Sequence, residues 1–166
     1  MFESIRGAAF SAMLRIFETM FFILLDPVEG MDVPEQRNLP QNPDRASPAG
    51  PFLKSEIPFE GYFSGTLSLL VPYSLSEMLA QNFMGFEEEV NEPQILDVSG
   101  ELANMVCGNL FSVLDKNSVY VLGTPATQRI APQAGQGLLE AADLTLKFMA
   151  EDQPVILQIQ FNPKAS

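Results

Sequence analysis

Apolar residues recur along this chain with two different periods, and the switches between them divide it into elements. Phe2, Ile5, Ala9, Met13, Ile16, Met20 and Ile23 follow one another at steps of three and four. That is the spacing of one helix face, and it predicts a helix over 2–25. Phe17, Phe21 and Leu24 widen the stripe, so the helix has a broad face to bury against a sheet. Its methionines and phenylalanines read as core filling.

From 26 to 52 the periodicity stops, and Pro27, Pro34, Pro40, Pro43, Pro48 and Pro51 punctuate a polar stretch. Prolines at that density remove backbone donors and block helix, which predicts a long surface loop inserted into one domain spanning 1–166. Alternation then takes over across 57–71 around Ser64-Gly65, the pattern of a β-hairpin, with Pro58 placed at an edge or at the start of its strand. A short helix over 74–83 follows, with Ser74 or Ser76 as its N-cap. Glu87, Glu88 and Glu89 read as a solvated acidic loop.

A second long helix is predicted over 92–115, starting near Pro93. After it come a short strand over 119–122, a turn at Gly123-Thr-Pro125 and a polar loop over 127–137. Leu144, Leu146 and Phe148 alternate, as do Val155, Leu157, Ile159 and Phe161, which predicts a last hairpin turning at 151–154. Helix, hairpin, helix, helix, strand, hairpin is an α+β order: an antiparallel β-sheet with two long helices packed on one face.

Composition removes whole classes of chemistry. The chain has no histidine and one cysteine, Cys107, so His-based zinc sites, Ser–His–Asp machinery and an internal disulfide are all excluded. A single thiol fits a reducing compartment. The net charge of -12 opposes binding to nucleic acid or to an anionic membrane surface. The apolar run over 8–25 carries Arg15 and Glu18 in its middle, which disfavours a signal peptide or a membrane span, and the chain reads as cytoplasmic. With 46% hydrophobic residues, the chain can bury a core.

One helix face stands out. At about 100° per residue, Glu101, Asn104 and Gly108 fall within roughly 40° of Asp97, while Ile95, Val98, Leu102, Met105, Val106 and Val113 fall on the other side. Glu101 and Asn104 are i and i+3, hence side by side. Gly108 extends the strip without a side chain, at a cost of up to about 1 kcal/mol relative to alanine, which close approach of another surface would justify. Phe111 lies near the same strip and is placed among the partner contacts. Taken alone, Glu-x-x-Asn is a short pattern that most often marks an ordinary solvated face, and Gly108 equally permits tight internal packing.

The string Gly100-Glu-Leu-Ala-Asn-Met-Val-Cys-Gly-Asn109 resembles the signature helix of the CheC/CheX/FliY chemotaxis phosphatases. The family pattern is an Asp or Ser, a Glu four residues on, an Asn three further, and a proline beyond the helix; Asp97, Glu101, Asn104 and Pro125 stand at those places. Phe17-Glu-Thr-Met20 and Phe59-Glu-Gly-Tyr-Phe-Ser-Gly65 support the match. A two-site CheC would repeat Glu-x-x-Asn in the first helix, where this chain has Glu18-Thr-Met-Phe21, so the likeness is to CheX.

The resemblance implies a phosphatase that hydrolyses the aspartyl phosphate of a CheY-like response regulator in two-component chemotaxis signalling. Glu101 and Asn104 would be the catalytic pair, and Asp97, Gly108 and Phe111 would be partner contacts. It also implies a homodimer, no cofactor or metal bound by this chain, and Mg2+ on the regulator. The alternative is an adaptor of the same fold, docking on signalling or flagellar-switch proteins without chemistry.

Overall fold

In the computed structural model the chain is described at residues 2–28, 50–85, 89–131 and 142–163. Helix α1 (Phe2–Phe21) is followed by β1 (Asp26–Pro27), the hairpin β2 (Phe52–Glu60) and β3 (Gly65–Pro72), α2 (Tyr73–Met84) and α3 (Glu92–Leu114). Then come β4 (Val121–Leu122), β5 (Ala126–Ile130), and the hairpin β6 (Leu144–Ala150) and β7 (Gln153–Phe161). Every strand pair is antiparallel, in the order β1-β6-β7-β3-β2-β4, with β5 also on β2. The α+β reading holds. Most of the 26–52 segment and part of the acidic loop lie outside the described residues; at its ends, Asp26 and Pro27 pair with β6 and Phe52 opens β2.

The period-2 alternation sorts each strand between two faces. Leu53, Ile57 and Phe59 of β2, Leu67, Leu69 and Val71 of β3, and Val155, Leu157 and Ile159 of β7 join the main core under the helices. From α1 that core receives Ile5, Ala9, Met13, Phe17 and Phe21, and from α3 Ile95, Leu102, Val106 and Leu110. On the opposite face a smaller cluster gathers Phe52, Leu70 and Ile156 with Ile130 against it.

Several boundaries differ from the sequence reading, each for a local reason. Helix α1 stops at Phe21 because Phe22 takes a positive φ of 57°, and the Ile23 amide turns back to donate to the Phe17 carbonyl at 3.0 Å. Leu24 therefore leaves the stripe and is exposed, and Met20, in the helix's last turn, is exposed as well. Neither Ser74 nor Ser76 caps α2: Ser74 donates to Gln153 Oε1 and Ser76 to the Pro72 carbonyl. The last hairpin turns on Glu151 and Asp152 alone, both at positive φ, so Gln153 and Pro154 already belong to β7.

The largest difference follows α3. The predicted loop starting at 127 begins as a strand, because β5 pairs with β2 from Ala126 opposite Glu56 to Ile130 opposite Phe52. Strands β4 and β5 share that one edge of β2 with a break between them, and Pro58 sits at the break. It is inside β2, not at its start or end. The ladder has no partner there for the N–H that proline lacks, and the Pro58 carbonyl instead accepts from the Gly123 amide at 2.8 Å. A Cβ on Gly123 would stand 2.4 Å from Pro58 Cγ, so only glycine passes.

Candidate functional site on helix α3

Helix α3 is set by its ends. Asn91 accepts from the Gln94 amide and Gln94 Oε1 accepts from the Asn91 amide, each at 2.9 Å, a reciprocal capping box with Pro93 in the first turn. Asp115 closes the other end, its amide donating to the Phe111 carbonyl. Between these caps the helix buries Ile95, Val98, Leu102, Ala103, Val106, Cys107 and Leu110 against α1 and the sheet. Val113 does not join them; it is exposed near the helix end, past the sheet's cover.

The strip opposite that core is present. Asp97 and Glu101 are exposed, and Asn104 and Gly108 are half-buried. Among the described residues, neither Glu101 nor Asn104 has a hydrogen-bond or ion-pair partner. Their Cβ atoms, three residues apart on a helix, stand about 5–6 Å from each other. A carboxylate and a carboxamide thus face outward together, unspent on the fold.

Pro125, twenty-four residues after Glu101 in sequence, reaches the same place in space. A Cβ on Gly100 would lie 3.5 Å from Pro125 Cβ and Cγ and 3.5 Å from Thr127 Oγ1. Thr127 is in turn held by a 2.9 Å hydrogen bond to Ser55 of β2. The motif proline therefore buttresses the turn of α3 just before Glu101. Arg129 of the same strand pairs with Glu92 at 3.3 Å and lies 4.3 Å over the Tyr73 ring, tying β5 to the start of α3.

Phe111 does not belong to the strip. It is 4% exposed, with its ring stacked on Tyr120 at 4.1 Å and tilted against Phe59 at 4.7 Å. The wheel places its Cα near the strip, but the segment after α3 folds back and covers the ring. Phe21, at the place where a second site would have asparagine, is fully buried and packs on Phe17 and Phe83. Cys107 is buried as well, and burial pushes its thiol up to about 12, which makes it inert. Among the described residues no three His, Cys, Asp or Glu side chains gather as metal donors, and no helix is long and apolar enough to cross a membrane.

An antiparallel sheet covered on one face by helices carries an outward Glu-x-x-Asn strip on α3. The family model described as chemotaxis phosphatase CheX matches residues 55–131, from β2 through α3 to the end of β5. Over that segment, just under half of the chain, the sequence is similar to CheX. The structure is similar to CheX from Desulfovibrio desulfuricans at a TM-score of 0.69 and 12% identity, covering 95% of this chain and 99% of that one. For CheX from Vibrio vulnificus the TM-score is 0.67 at 16% identity, covering 95% and 96%. A chain of the CheX–CheY–BeF3–Mg2+ complex from Borrelia burgdorferi matches at 0.62 and 13% identity, covering 98% and 97%. No curated protein matches the sequence.

Proposed function

We propose that the chain is a phosphatase for the aspartyl phosphate of a CheY-like response regulator, with Glu101 and Asn104 as its catalytic pair. The observation that carries this reading is the outward, unpartnered placement of those two side chains side by side on a helix whose far face is locked into the core. Support comes from the family match and from the CheX–CheY complex on record for a protein of the same fold.

The reaction asks little of this chain. A water oxygen attacks phosphorus in line, the bond from phosphorus to the aspartate oxygen breaks, and inorganic phosphate leaves a free carboxylate behind. The regulator brings Mg2+ and most of the charge neutralisation. This chain places the water. The Asn104 carboxamide holds donor and acceptor in one plane, so its oxygen can accept from the water and aim a lone pair at phosphorus without acting as a strong base. Glu101 is suited to an ion pair with a lysine beside the regulator's phosphorylation site, which fixes the two surfaces in register. Asp97, one turn earlier, adds a second negative edge. A homodimer goes with the same reading, and sedimentation would test it.

The test is phosphate release from CheY-type regulators phosphorylated with acetyl phosphate, with wild-type protein and with Asn104→Ala. The wild type should accelerate decay and the variant should not. Acceleration that survives Asn104→Ala would move the active site elsewhere. No acceleration by the wild type, with binding retained, would leave the adaptor reading.

A further inference from the structure

Beyond Gly108 the strip runs into a cleft of about 520 Å³ at the C-terminal end of α3. Its walls are the rings of Phe111 and Tyr120 with Leu122, and its rim carries Ser112, Asp115 and Lys116. We propose that this cleft is a specificity subsite for the regulator, receiving one apolar side chain that has a lysine or arginine beside it. The proposal rests on the reading of Glu101 and Asn104 as the phosphatase site.

Three observations lead there. Position comes first. The cleft begins at Gly108, one turn beyond Asn104, and Ser112 stands eight residues, or about 12 Å, along the axis from Asn104. A protein interface of ordinary size covers about 800 Å² a side, so a regulator seated on Glu101 and Asn104 also covers this cleft. Surface character comes second. Val119 is 81% exposed and Val121 64%, and they flank Tyr120 in sequence, so the segment that lines the cleft also carries exposed apolar residues. The cleft itself has the stacked rings of Phe111 and Tyr120 in its lining, an aromatic surface of the kind that seats an anchor side chain.

The third observation is Gly108. A Cβ there would have only Leu122 Cδ1 nearby, at 3.8 Å, which is ordinary contact. Internal packing does not require the glycine, unlike Gly123. Gly108 instead lines the cleft, where a side chain would take up part of its space. On a rim that also carries Lys116, the fixed charge is that of Asp115: its carboxylate accepts from the Asn117 amide and the Ser118 hydroxyl, which hold it in place while leaving lone pairs free for a cation.

Ser112 is exposed and makes only a hydrogen bond to the Asn109 carbonyl, so Ser112→Trp fills the cleft without entering the core. Binding to a CheY-type regulator locked with beryllofluoride and Mg2+ should weaken by about tenfold or more, with KM rising in parallel and kcat nearly constant. Asp115→Asn should weaken binding a few-fold at low salt and converge with wild type at high salt. Unchanged affinity of both variants, beside a wild type that dephosphorylates the regulator, would overturn the subsite alone. A wild type that neither binds nor dephosphorylates any CheY-type regulator would overturn the phosphatase reading, and the subsite with it. A small-molecule occupant of the cleft would show as the first of these outcomes.

Discussion

Pro125 packs on Gly100, one helical turn before Asn104, with its ring carbons 3.5 Å from where a Cβ on that glycine would stand. Two positions far apart in sequence thus meet at the shoulder of the candidate site. Contact at that distance is ordinary for a methyl group, so Gly100→Ala should fit and should stabilise the helix by up to about 1 kcal/mol. Gly100→Leu should overpack against Pro125 and Thr127 and cost about 1–3 kcal/mol. Urea midpoints of the two variants check this, and destabilisation by alanine would show that the contact is tighter than described.

Phe111 separates a core position from a place on the exposed strip. Its ring is sandwiched between Tyr120 and Phe59, so Phe111→Ala should cost about 3–5 kcal/mol of stability. A surface contact would cost a few tenths. Chemical denaturation at neutral pH distinguishes the two, and a variant as stable as wild type would return Phe111 to the exposed strip.

Much of the fold was legible because its elements carry strong periods. The alternation across both hairpins and the three-four steps of α1 and α3 are local signals, and the outward strip follows from helix geometry alone. What stayed hidden depended on long-range pairing. Strand β5 has the sequence Ala-Thr-Gln-Arg-Ile, with no apolar alternation, and it exists because its backbone completes the edge of β2. Phe111 sits within roughly 40° of the strip on a wheel, yet Tyr120 closes over it from a segment whose return path no local pattern announces. The cleft is likewise a product of that return path, and no motif marks it.

Burial of Cys107 has a pH signature. Its thiol is held near 12 in the folded chain against an ordinary 9.0, so below pH 9 both states keep the proton and the group contributes no pH dependence. Above it the unfolded chain releases a proton that the folded chain retains, so the native state loses up to about 1.4 kcal/mol per pH unit. Stability therefore falls with rising pH in this window, and Cys107→Ala should fall less steeply. Urea midpoints at pH 7.5 and pH 10 for both proteins give the comparison; parallel declines would mean the thiol is reached by solvent.

The two candidate catalytic residues should fail in different ways. Asn104→Ala removes a group that acts only on the attacking water, so regulator affinity should hold while the dephosphorylation rate drops by about 100-fold, or about 2.7 kcal/mol. Glu101→Gln keeps the size of the side chain and removes its charge. An ion pair formed on binding and kept through the reaction should then be lost, which weakens affinity and slows turnover together. The loss of affinity should be largest at low ionic strength, because screening already diminishes the wild-type pair at high salt. Both side chains lie outside the core and neither is bonded among the described residues, so both variants should unfold within about 0.5 kcal/mol of wild type. Stopped-flow decay of the phosphorylated regulator, titration with its beryllofluoride form and a denaturation curve resolve the three quantities. If Glu101→Gln bound as tightly as wild type and lost only rate, the carboxylate would be acting on the reacting centre, and the ion-pair role assigned to it would be wrong.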